Sequence, residues 1–171
     1  MVGGKTLVPM IDGMGTLVIY QDGRLRIGEW NIDLTETPDI AVARQNCPLM
    51  VHQGEINPLV YNNSVNTWGG TISGNIVTFR SGIGLSQDGK TLYYFAGNYL
   101  SMPVLATAMR AAGAYQAMQL DINNYYVLFT SFREQDGHLT GIPLLPKEMV
   151  DNINRYLDGF SHDFFFVTDK P

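Results

Sequence analysis

The 171 residues suffice for one domain with a sizeable core, and the net charge of −5 with only 11 scattered basic residues argues against a broad nucleic-acid footprint. Hydrophobic residues make up 45% and charged residues 16%, which is an ordered composition rather than a disordered one. Cys47 is the sole cysteine, so neither an intrachain disulfide nor a cysteine zinc cage is open to this chain. No apolar run approaches the ~20 residues that span a bilayer, and no charged-then-apolar leader opens the sequence.

Taken in order, the first third reads as short strands joined by tight turns. Lys5 to Ile11 is apolar and ends at Asp12-Gly13. Thr16 to Tyr20 and Leu25 to Trp30 flank Asp22-Gly23, a pair that favours a type I′ hairpin because both central residues then take positive φ. Leu25 and Ile27 share one face while Arg24 and Arg26 share the other, as in an antiparallel sheet with one wet side. Pro38-Asp39 breaks the pattern, and Ile40 to Arg44 reads as a helical turn. Leu49 to His52 and Glu55 to Tyr61 form a hairpin about Gln53-Gly54. The Asn-rich segment from Tyr61 to Gly70 is a loop by composition, with Asn62-Asn63-Ser64 matching a glycosylation sequon.

Ile76 to Leu85 and Thr91 to Ala96 make the next hairpin, about Asp88-Gly89, with Gly97-Asn98 ending its second strand. A helix then follows. Ser101 stands at its cap, Pro103 in its first turn, and Gly113 just past its end, with Val104, Leu105, Ala108, Met109 and Ala112 on one stripe. Tyr115 to Asp121 and Tyr125 to Phe132 read as strands, Arg133 to Thr140 as a polar loop, Lys147 to Phe160 as a second amphipathic helix, and Phe164 to Thr168 as a last strand. The expected class is α+β: mainly antiparallel or mixed sheet with two principal helices, in a single domain over residues 1–171.

Motifs that would declare a chemistry are absent. There is no phosphate loop, nucleophile elbow, His-Glu-x-x-His or calcium loop. His52, His138 and His162 lie in separate turn-like regions without metal-ligand spacing, so no metal is expected, with His138 beside Asp136-Gly137 the one held in reserve. Asn46-Cys47-Pro48 puts no base next to the thiol, which reads as inert. The cofactor, if any is used, is unknown from the sequence. Arg80 and Asp121 stand out because each interrupts an apolar strand, where an unpaired charge costs several kcal/mol. Each needs a partner: the other, as a structural ion pair, or a ligand.

The order Arg80-x-Gly82-Ile83-Gly84, Asp88-Gly89, a helix ending at Gly113-Ala114, then Gln119-Leu120-Asp121 resembles the phosphodiester glycosidase family. That family shows Arg-Thr-Ala-Ile-Gly, an Asp-Gly turn, a helix and Asn-Leu-Asp-Gly-Gly-Gly-Ser. Pro48-Leu49-Met50-Val51 before Gln53-Gly54 is similar to its preceding hairpin. The family includes the lysosomal enzyme that uncovers mannose 6-phosphate tags by removing N-acetylglucosamine. The resemblance implies hydrolysis of a sugar-1-phosphodiester or related cell-envelope glycan. It implies Arg80 and Asp121 as catalytic residues, Arg80 gripping phosphate and Asp121 serving as acid/base or sugar-hydroxyl ligand. Asn123, Asn124, Trp68 and Gly84 become the expected substrate contacts, with a carbohydrate or sugar-phosphate partner and an exported or cell-envelope setting.

Two departures qualify the expected chemistry. Ile122-Asn123-Asn124-Tyr125 stands where the family carries Gly-Gly-Gly-Ser, so bare backbone N–H groups no longer cradle a phosphate there. The family's early Asn-Gly-Gly-Phe segment is missing and would precede Met1, which reads as an N-terminally truncated domain. The alternative expectation is therefore a silent glycan- or phosphate-binding module presenting Trp68, Tyr125 and Tyr126 to sugar faces, or a structural domain of a larger exported protein.

Overall fold

The structure is a computed structural model that describes residues 1–62, 64–71, 74–149, 153–159 and 162–168. The chain divides into two compact units, Met1–Val127 and Leu128–Pro171. Among the described residues every strand pair is antiparallel, and the class is α+β as expected.

The first unit carries two sheets. One has three strands in the order β2-β1-β3, with β1 Gly15–Tyr20, β2 Leu25–Glu29 and β3 Ile40–Gln45. The other has five in the order β5-β4-β8-β6-β7: β4 Leu49–His52, β5 Glu55–Ile56, β6 Thr78–Leu85, β7 Leu92–Leu100 and β8 Gln116–Ile122. A short helix α1, Val65–Trp68, precedes β6, and the main helix α2, Met102–Ala111, joins β7 to β8. Central strand β6 is buried along its whole length.

Three clusters show how the layers hold. Leu17 and Ile27 of the small sheet pack on Leu49, Ile83, Leu85, Met118 and Leu120 of the large one. The opposite face of the large sheet takes Met102, Leu105, Ala106 and Met109 of α2, together with Met50 and Trp68. Val18, Tyr20, Ile40 and Ala43 close the outer side of the small sheet with Trp30 and Leu34. Alternation along β6 sends Gly82 and Gly84 to the helix and Ile83 and Leu85 to the small sheet, as period 2 requires.

The ends of helix α2 fall where expected, but Ser101 makes no side-chain capping bond. Of the expected stripe only Leu105 and Met109 are buried; Val104, Ala108 and Ala112 are exposed, and Met102 and Ala106 complete the buried face. Ser101 is its N-cap in extended conformation, Pro103 sits in its first turn, and Gly113 has φ 102°. The glycines opposite it are there for close approach. A Cβ on Gly84 would lie 2.9 Å from the Ala114 Cβ and 3.1 Å from the Met109 Cε. Gly84→Ala is accordingly expected to lower stability by about 1–3 kcal/mol, measured by urea denaturation, through overpacking.

Several expectations gave way to tertiary pairing. Lys5 to Ile11 forms no strand; Val2 bridges Lys5, and the Gln45 side chain serves the N–H and C=O of Ile11 in place of a neighbouring strand. Ile40 to Arg44 is strand β3, because the free edge of β1 supplies a ladder that a single helical turn lacks. The Asp22-Gly23 turn has positive φ only at Gly23, where a three-residue loop closes with Gly23 N–H donating to Tyr20 O. β7 continues through Gly97 and Asn98 to Leu100.

In the second unit β9 Thr130–Gln135 pairs with β10 His138–Pro143. Arg133 to Thr140 is thus a hairpin rather than a loop: Asp136 and Gly137 have φ 53° and 78°, the type I′ signature. The chain from Asn123 to Val127 turns instead of extending, since the N–H groups of Tyr126 and Val127 both donate to Asn123 O. Of the helix expected over Lys147 to Phe160, helix α3 spans Arg155–Asp158, and residues 150–152 and 160 lie outside the described set. Phe164 to Thr168 is irregular. Asn63 of the sequon also lies outside the described residues.

Candidate active site

The register of the large sheet brings the two conspicuous charges to one end of adjacent central strands. Arg80 of β6 stands opposite Ile122 of β8, and Ser81 Oγ donates to the Asp121 carbonyl at 2.8 Å. Backbones converge there; side chains part.

Arg80 is 1% exposed and turns inward. Its Nε and Nη2 donate to Ile76 O at 3.3 and 2.8 Å, and Nη2 also reaches Gly69 O at 3.3 Å. Nη1 donates to Trp68 O at 3.0 Å and Gln119 Oε1 at 2.6 Å. A guanidinium has five N–H groups, and five hydrogen bonds occupy it. Burial pushes its pKa down, with the neighbouring Cys47 acting the other way. Carbonyl-type acceptors rather than a carboxylate make up the lost hydration. Arg80, expected to grip phosphate, has its donors taken up by the carbonyls of Trp68, Gly69 and Ile76 and by Gln119, and so ties those residues to β6 and β8.

Gln119 completes this network, its Nε2 donating to Trp68 O at 2.9 Å and lying 3.4 Å from Cys47 Sγ. Cys47 is partly buried, and desolvation raises its thiol pKa, which suits an inert thiol rather than a nucleophile. Trp68 is fully buried, with its indole N–H on Leu59 O. Expected as a substrate contact, the ring instead lies within the core cluster with Met50, Met102, Leu105 and Met109. Gly84, another expected substrate contact, packs closely against Met109 of α2 and Ala114.

Asp121 faces the other way. Its side chain is 49% exposed, and Oδ1 lies 3.6 Å from Arg44 Nη2. Arg44, on β3, is a residue that sequence reasoning missed: read as part of a helical turn, it had no reason to point at β8. Asn123 follows with φ 77°, a left-handed conformation that asparagine tolerates where Ile122 would not. Its N–H donates to Phe79 O at 2.9 Å. Asn124, Tyr125 and Tyr126 are exposed beyond it, the two rings edge to face at 5.1 Å. Asp121, Arg44, Asn123 and Asn124 together offer a carboxylate, a guanidinium and amide groups at one sheet end.

The remaining histidines divide. His138 and His162 are exposed in the second unit. His52, at the end of β4, lies beside Asp33 and Glu29, a grouping hidden from sequence because its members come from two different hairpins. No helix among the described residues is long and apolar enough to cross a membrane.

Fold and site together describe a two-sheet α+β domain with a half-exposed carboxylate and a guanidinium at the end of its central strands. A family model described as phosphodiester glycosidase matches residues 1–121, and the chain belongs to that family. The match ends at Asp121, which Ile122-Asn123-Asn124 follows. No curated protein sequence matches the chain. Among solved structures it is similar to the catalytic domain of zebrafish N-acetylglucosamine-1-phosphodiester alpha-N-acetylglucosaminidase auto-inhibited by its pro-peptide, at 16% identity and a TM-score of 0.48. That likeness covers 77% of this chain and 45% of the zebrafish one, so the chain spans under half of that structure.

Proposed function

We propose that the chain carries a phosphodiester glycosidase site acting on a sugar-1-phosphodiester, such as one in an exported or cell-envelope glycan. Asp121 serves as acid/base or sugar-hydroxyl ligand, and Arg44 takes the phosphate-facing role that the buried Arg80 leaves open. Asn123 and Asn124 donate amide hydrogen bonds in place of the family's glycine N–H groups. The observation that carries this reading is the half-exposed Asp121 carboxylate 3.6 Å from Arg44, in a chain whose family match runs up to that residue. A guanidinium matches phosphate oxygens in a bidentate fork, and side-chain exposure of 21% leaves Arg44 within reach of a ligand.

The test is release of free sugar from an N-acetylglucosamine-1-phosphodiester by the purified chain. Arg44→Gln is expected to lower kcat/KM by about 10–100-fold, the worth of one charge-assisted contact. Unchanged kcat/KM in that variant would remove Arg44 from the site. The replaced glycine run favours a second reading, a glycan-binding module in which Tyr125 and Tyr126 present their rings to a sugar. Binding of the same compound without turnover by the wild-type chain would decide for it.

A further inference from the structure

We infer that Glu29, Asp33 and His52 form a binding site for a first-row divalent ion of the zinc type, placed to tie the two sheets of the first unit together. The three residues offer one ligand atom each, all within 4.8 Å of one another. Glu29 ends β2 and Asp33 lies in the turn after it, so both belong with the small sheet; His52 ends β4 of the large one. One ion bound here would therefore add a fastening between two layers that already meet through apolar packing and, at the other end of the sheet, the Arg44–Asp121 pair.

The geometry of His52 is what separates this cluster from an ordinary ion pair. Its Nε2 is buried and lies 3.0 Å from Asp33 Oδ2, yet the contact lacks hydrogen-bond geometry and no other described residue bonds that nitrogen. A His–Asp hydrogen bond places the oxygen along the ring nitrogen's axis. Two ligands of one ion do not: each aims at the metal, and at bonds of about 2.0–2.2 Å their mutual separation falls near 3–3.5 Å off both axes. Asp33 is held for such a task, since its Oδ2 accepts the Glu29 backbone N–H at 2.9 Å. Glu29 would close the set by turning its flexible side chain. The turn Glu29–Leu34 is itself fixed, with the N–H groups of Ile32, Asp33 and Leu34 all donating to Glu29 O.

The donor set names the class of ion. One imidazole with two carboxylates suits zinc, cobalt or manganese, whereas calcium and magnesium prefer oxygen-only shells. The site is remote from Asp121. β4 meets β8 at Val51 opposite Ala117, so His52 lies at the other end of the sheet, about 15 Å away along the strands. A bracing role follows from that position, and it does not depend on the glycosidase reading.

The test uses the whole chain, stripped with a chelator and dialysed, then titrated with Zn²⁺ by calorimetry while its Tm is followed. One saturable site is expected, with Tm raised by roughly 5–10 °C at free Zn²⁺ a hundredfold above Kd. His52→Gln and Glu29→Gln, both at strand ends, are expected to keep the metal-free Tm and lose the Zn²⁺ response. No saturable binding would overturn the site, as would an undiminished response in His52→Gln, which would locate the ion elsewhere. A Ca²⁺ response equal to that of Zn²⁺ would overturn the imidazole as a ligand.

Discussion

Asp121→Asn is expected to cut hydrolysis of a sugar-1-phosphodiester by about 10²–10⁴-fold while leaving folding stability within about 0.5 kcal/mol. The two halves of this expectation rest on different facts. Loss of turnover follows from replacing the site's carboxylate with an amide that neither takes nor gives a proton in the same way. Retained stability follows from exposure: the side chain is 49% exposed, and its ion pair with Arg44 at 3.6 Å is of a kind worth little to folding. The Asp121 carbonyl, which accepts from Ser81, is untouched by the substitution. Parallel measurement of kcat, KM and the urea midpoint checks both halves. A fall in kcat marks a proton-transfer role, whereas a rise in KM alone marks Asp121 as a ligand of the sugar hydroxyls.

Arg80→Met should behave in the opposite manner, costing about 3–5 kcal/mol of stability as a buried, fully bonded charge is removed from among its partners. Trp68 O keeps a donor in Gln119 Nε2, but Gly69 O, Ile76 O and Gln119 Oε1 lose the guanidinium that satisfies them. An unsatisfied buried acceptor costs about 1–3 kcal/mol, and methionine supplies none of the missing donors. Arg80→Lys is expected to fall between, because an ammonium offers three donors from a single point where the planar fork offers five. Urea denaturation measures the series. A fully stable Arg80→Met protein that had lost only activity would return Arg80 to direct contact with substrate.

How much of this was legible in the sequence differs from element to element. The buried stripe of helix α2 was not readable, since Met102, Leu105, Ala106 and Met109 face the core while Val104, Ala108 and Ala112 are exposed. Its bounds were readable because its end signals are local: a serine at the N-cap, a proline in the first turn and a left-handed glycine. The hairpin at Gln53-Gly54 was readable for the same reason, with φ 52° and 80° at its two turn residues. The hairpin at Asp136-Gly137 carried the same signal, but its polar strands hid it among the loops. Strand β3 was not readable, since Ile40 to Gln45 extends only because the edge of β1 lies open beside it.

The chain by itself determined an α+β domain of antiparallel hairpins, the helix between β7 and β8, and the placement of Arg80 and Asp121 on otherwise apolar strands. Local propensity, turn chemistry and periodicity are properties of neighbouring residues, so they survive in sequence. Tertiary structure alone decided which way those two side chains point. It sent Arg80 inward onto the carbonyls of Trp68, Gly69 and Ile76, left Asp121 facing Arg44, and set His52 beside Asp33. Each of these meetings joins segments brought together only by sheet register and layer packing. No local pattern records them.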